Sequence, residues 1–62
     1  MVSFKRKCEK VNVEYKPALS YKRQHPELTD NEVLSHFIPG SYVDWDDYLF
    51  INGQKVDTDA PS

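Results

Sequence analysis

The stretch Phe4-Lys-Arg-Lys-Cys-Glu-Lys-Val-Asn-Val-Glu-Tyr-Lys-Pro-Ala-Leu-Ser-Tyr-Lys-Arg-Gln-His25 decides the fold. Phe4, Cys8 and Val11 fall at i, i+4 and i+7, one stripe of a helix. Ser3 stands where a hydroxyl can accept from a free amide of the first turn. Asn12 tolerates the left-handed conformation that ends a helix in a sharp turn. A second helix is expected from Glu14 or Tyr15. Pro17 sets that limit, because only the first turn of a helix has N–H groups without intrahelical partners. Pro26 closes it, since the residue before proline avoids the α region. The segment therefore reads as two short helices joined by a tight turn at Val11-Asn12-Val13.

Outward from this pair, Thr29-Asp-Asn-Glu32 is a capping box. The threonine hydroxyl accepts from the amide three residues on, and the glutamate reaches back to the threonine amide. It opens a third helix with Val33, Leu34 and Phe37 inward, and Pro39-Gly40 stops it. The composition then turns to β-formers: Tyr42, Val43, Trp45, Tyr48, Phe50 and Ile51. Asn52-Gly53 within Tyr48 to Val56 predicts a type I′ hairpin. A two-residue loop pairs Ile51 with Gln54, Phe50 with Lys55 and Leu49 with Val56. The fold class is α+β: three short helices, then a C-terminal hairpin. One domain spans residues 1–57, followed by a flexible polar tail at 58–62.

Composition bounds what such a chain does. Sixty-two residues with 39% hydrophobic and 29% charged content make one small globular domain. The single cysteine excludes an internal disulfide, and one Cys with two His gives no zinc spacing. Cys8 lies on the apolar stripe and reads as a small buried hydrophobe rather than a catalytic thiol. His25 and His36 read as surface or helix-end residues. The two glycines are far apart, so no phosphate-cradling loop is present. Asp44-Trp-Asp-Asp47 lacks calcium-loop spacing. No enzyme, metal, cofactor or small-molecule substrate is expected. Absence of a long apolar run or a signal-peptide core predicts a cytoplasmic protein without a membrane partner.

The net charge of −2 hides a division. Residues 1–26 hold seven Lys/Arg against two Glu, a balance of +5. Residues 27–62 hold one Lys against eight Asp/Glu, a balance of −7. Such asymmetry suggests a polyanion-facing side, although charge on short helices is usually a solvated face.

Two helices packed closely across a tight turn need particular residue types. Cys8 is the small residue at the crossing, Asn12 accepts positive φ, Val11 and Val13 flank the turn, and Ala18 and Tyr21 seal the second helix. On these residues the chain resembles the helix-turn-helix superfamily, in particular small domains of phages and mobile elements. The resemblance runs from Ser3-Phe-Lys-Arg-Lys-Cys8 through Val11-Asn-Val-Glu-Tyr15 and His25-Pro-Glu-Leu-Thr-Asp30, about residues 3–38. Asn12 replaces the usual glycine, and Glu14 stands where a serine or threonine cap is usual. The hairpin resembles a minimal wing.

The resemblance implies a non-enzymatic regulator or accessory factor that puts its second helix in the major groove of duplex DNA. Tyr15, Lys16, Leu19 and Ser20 would lie nearest base edges. Lys5, Lys7, Lys10, Lys22 and Arg23 would reach phosphates. Asn52, Gln54 and Lys55 at the hairpin tip would touch adjacent backbone. One module makes few phosphate contacts, so binding by a monomer would be weak and improved by a homodimer or a partner. The bland reading makes Tyr15 and Tyr21 packing residues and places Trp45 and Phe50 in the core. The rival reading is a protein–protein module or inhibitor using Asp44, Trp45, Asp46 and Asp47. In size and in the charge of that half, the chain is similar to small phage anti-restriction and anti-CRISPR proteins.

Overall fold

A computed structural model describes residues 2–59. Helix α1 spans Phe4–Lys10, α2 Tyr15–Gln24 and α3 Asp30–Phe37. Strands β1 (Ser41–Val43), β2 (Leu49–Ile51) and β3 (Gln54–Val56) follow as an antiparallel sheet in the order β1-β2-β3.

Each helix begins where local chemistry allows. Ser3 Oγ accepts from the Arg6 amide at 3.3 Å. Pro17 is the third residue of α2, inside the turn that has no intrahelical donors to lose. Glu14 caps α2 by position only, without a side-chain hydrogen bond. At α3 both halves of the capping box form: Glu32 N donates to Thr29 Oγ1 at 3.2 Å, and Thr29 N donates to Glu32 Oε1 at 2.8 Å. Gly40, at φ +77, then turns the chain into β1.

The hairpin β2–β3 takes the register expected from its turn, Ile51↔Gln54, Phe50↔Lys55 and Leu49↔Val56. Asn52 and Gly53 both have positive φ, 52° and 80°, as a type I′ turn requires. The sheet extends beyond this hairpin. β1 adds a third strand paired Tyr42↔Phe50 and Val43↔Leu49, with the Tyr42 and Phe50 rings stacked at 5.1 Å. A three-residue strand bounded by Gly40 and Asp44 shows too little alternation to be read locally.

Cys8, Ala18, Val33, Leu34 and Leu49 are fully buried and form one cluster. Ten half-buried apolar side chains surround it, among them Phe4, Val13, Tyr15, Tyr21 and Phe37. Burial of Val33, Leu34 and Leu49 stabilises by about 1.5–3 kcal/mol each. Helix α3 is the pivot, with α2 packed on one side and β1 and β2 on the other. Leu49 is the residue through which the sheet enters the helical core.

Two expectations are corrected. The first concerns the tail. Thr58 is only 2% exposed, and its hydroxyl donates to Asn31 Oδ1 at 2.7 Å. Asp59 meets Lys7 Nζ at 3.2 Å. The chain is therefore docked through residue 59, and residues 60–62 of the expected tail lie outside the described residues. A lone threonine in a polar stretch does not show its buried partner 27 positions away. The second concerns Trp45, which is 104% exposed rather than in the core, while Phe50 is half-buried. Five loop residues between β1 and β2 lift the tryptophan off the sheet.

Candidate nucleic-acid interface

The α1–α2 pair closes on small residues. Cys8 and Ala18 are both inaccessible to solvent. The Cys8 carbonyl accepts from the Val11 amide at 3.2 Å and from the Val13 amide at 2.9 Å. This double bond-taking folds the chain back at once, and Asn12, at φ 59, occupies the left-handed region between them. Val11 and Val13 are half-buried against the core, as is Tyr21. All the positions that a tight helix pair demands are thus filled as their residue types suggest.

The outward surface of α2 consists of Lys16, Pro17, Ser20, Arg23 and Gln24. Lys16, Ser20, Arg23 and Gln24 lie at i, i+4, i+7 and i+8, a single stripe. Ser20 Oγ accepts from Gln24 Nε2 at 3.2 Å. Lys5 is exposed on α1 and Lys10 is half-buried. Among the described residues, Lys5, Lys16 and Arg23 enter no ion pair.

Lys7 and Lys22 are placed differently. Lys7 is 12% exposed, with Nζ 3.5 Å from Asp30 Oδ2 and 3.2 Å from Asp59 Oδ1. Lys22 Nζ sits 2.8 Å from Asp30 Oδ1 and 4.6 Å from the centre of the Phe4 ring. Asp30 at the start of α3 therefore ties α1 to α2 through two lysines. Tyr15 is half-buried with its ring 6.1 Å from that of Phe4, a packing position. At the hairpin tip Asn52, Gln54 and Lys55 are exposed, and Lys55 Nζ rests 3.6 Å above the Tyr48 ring.

Burial, with Asp30 as the second cause, pushes the Cys8 thiol above its ordinary pKa. A buried neutral thiol is a poor nucleophile. His25 and His36 flank the Tyr21 ring at 4.4 and 4.1 Å, and His25 Nδ1 faces Glu27 Oε2 at 3.3 Å. No group of three or more His, Cys, Asp or Glu suited to a metal ion occurs among the described residues.

The acidic loop is built by its own carboxylates. Asp44 Oδ1 accepts from the Asp46 amide at 3.1 Å and the Tyr48 amide at 2.8 Å. Asp47, at φ 64, accepts from Thr29 Oγ1 at 2.6 Å, and its carbonyl accepts from Asn31 Nδ2 at 2.6 Å. Trp45 and Asp46 are left facing solvent. The loop thus joins Thr29 and Glu32 of the α3 cap to Tyr42, Val43 and Trp45 around one open groove. Thr29 and Glu32 are not legible in the sequence as groove residues, because the capping box fully accounts for both. No protein-family model, curated protein or solved structure matches the chain.

Proposed function

We propose that this protein binds duplex DNA non-enzymatically, as a small regulator or accessory factor of a phage or mobile element, with α2 as the reading helix. The observation that supports this most is the closed α1–α2 pair. Cys8 and Ala18 are fully buried, Asn12 turns at φ 59, and the outward stripe of α2 carries Lys16, Ser20 and Arg23. In this reading Lys16 donates to guanine, Ser20 contacts an adjacent base, and Lys5 and Arg23 neutralise phosphates. Lys10 lies on the same side of the chain's charge division. Lys7 and Lys22 hold α1, α2 and α3 together through Asp30 and act by positioning. Tyr15 supports the N-terminal end of α2 from within.

On random-sequence DNA Lys16 meets phosphate as Lys5 and Arg23 do, and three such cations make binding weak and steep in salt. With a slope of about −0.9 per neutralised phosphate, affinity falls about 40-fold between 50 and 200 mM salt. An amide-shift titration with random-sequence duplex DNA tests the reading at both salt concentrations. Shifts confined to residues 5–24 and reduced by salt are expected. Lys16→Ala and Arg23→Ala should each flatten the slope by about 0.9. Absence of shifts at 50 mM salt would refute the DNA reading.

A further inference from the structure

Two of the three exposed large aromatic side chains among the described residues, Tyr42 and Trp45, line one groove, and the fold does not require the more prominent of them. Trp45 is the second residue of the turn that Asp47 N closes on the Asp44 carbonyl at 3.1 Å. That turn position accepts most residue types, so backbone geometry places no demand for tryptophan there. Its 104% exposure means that it also adds nothing to the core. Tyr42, 52% exposed, stands beside it across an open groove of about 650 Å³ with Val43 in its wall. Large aromatics left uncovered next to a groove are the side chains that most often dominate protein–protein binding.

The charge around the groove says what covers them. Glu32, Asp44 and Asp47 line it, and Asp46 projects from the same turn as Trp45. Among the described residues none of the four enters an ion pair. Glu32, Asp44 and Asp47 each commit one carboxylate oxygen to the fold, Oε1 to the Thr29 amide and the two Oδ1 atoms to the loop and to Thr29 Oγ1. A second oxygen remains on each. Aromatic faces beside carboxylates match a guanidinium or ammonium group on an aliphatic stem. The same carboxylates repel nucleic-acid phosphate.

We propose that the Tyr42–Trp45 groove is a docking site for an arginine-rich segment of a partner protein, whose guanidinium stacks on Trp45 while Glu32 and Asp46 receive its donors. This site lies off the α1–α2 surface and does not rest on the DNA reading. Trp45→Ala is the decisive variant, because it removes the stacking face without altering net charge or the core.

The experiment titrates the full chain with a hexa-arginine peptide and follows anisotropy of the labelled peptide. Trp45, the sole tryptophan, supplies a second signal through its emission. Saturable binding with an emission shift to shorter wavelength is expected. Trp45→Ala should weaken binding about three- to thirty-fold, and Glu32→Gln with Asp46→Asn should weaken it further and reduce its salt dependence. Circular dichroism of each variant verifies the fold. Equal affinity of Trp45→Ala within about two-fold would overturn the proposal in favour of general charge attraction. An unmoved Trp45 emission would overturn it too. An emission shift with protein concentration alone, abolished by Trp45→Ala, would overturn it in favour of a second copy of this chain as the occupant. DNA-induced shifts in residues 5–24 should persist in Trp45→Ala, which keeps failure of either reading distinguishable from the other.

Discussion

Replacing Asn31 by alanine should take away a large part of this domain's stability. Asn31 is 8% exposed and joins three parts of the chain. It sits in the first turn of α3, its Nδ2 donates to the Asp47 carbonyl at 2.6 Å, and its Oδ1 accepts from Thr58 Oγ1 at 2.7 Å. The variant loses both bonds, about 1 kcal/mol each. It also strands the Thr58 hydroxyl, 2% exposed, at about 1–3 kcal/mol more. Alanine's better helix propensity returns about 0.6 kcal/mol. The net loss is about 2.4–4.4 kcal/mol, against a total of about 3–9 kcal/mol for a domain of this length. Thr58→Val removes one bond and leaves Asn31 Oδ1 without its donor, so about 1–2 kcal/mol is lost and Tm falls by about 5–15 °C. The double variant should cost about 1–2 kcal/mol less than the sum of the single ones, because the stranded hydroxyl is no longer there. Urea unfolding followed by circular dichroism measures all three. Tryptophan emission is unsuitable, since Trp45 is already in water in the folded state. A Thr58→Val variant within about 0.5 kcal/mol of the parent, with additive behaviour of the double variant, would refute the docking of residues 57–59.

Other outcomes follow from the same structure. Asn12→Gly should be neutral or slightly stabilising at φ 59, whereas Asn12→Ala should cost about 1–2 kcal/mol in thermal unfolding. Glu14→Ser supplies the missing side-chain cap of α2, should add about 0.5–1 kcal/mol, and in a DNA titration should tighten binding by removing a negative charge from the helix tip. Asp30→Asn breaks the bridge between Lys7 and Lys22, should cost about 1–2 kcal/mol, and should steepen the salt dependence of DNA binding by releasing Lys22, while Lys7 keeps Asp59. Burial raises the Cys8 pKa above its unfolded value. The folded state therefore holds the proton more tightly, and stability is full below the unfolded pKa and falls as pH rises through the folded one. Unfolding midpoints should decline in that alkaline window, and Cys8→Ala should remove the decline.

Much of this protein is legible locally because its signals are local. The capping box at Thr29 and Glu32, the limit that Pro17 sets on α2, and the Asn52-Gly53 turn each act over two to four residues, and each is realised in the fold. The register of β2 and β3 follows once a two-residue loop is assumed, since pairing then has no freedom. The helix pair around Cys8, Asn12 and Ala18 was readable for the same reason: its spacing lies within eleven residues.

Tertiary structure alone decided the rest. Strand β1 exists because Tyr42 and Val43 find Phe50 and Leu49 across a loop held by Thr29 and Asn31 of α3. Lys7 and Lys22 look like free cations in the sequence, and only the approach of Asp30 and Asp59 makes them structural. Trp45 reads as core by its chemistry, yet a carboxylate-stapled turn sets it in solvent. The physical reason is common to all three. Hydrogen bonds and dihedral preferences couple near neighbours and are written in spacing, whereas burial and ion pairing depend on which distant segments share a surface.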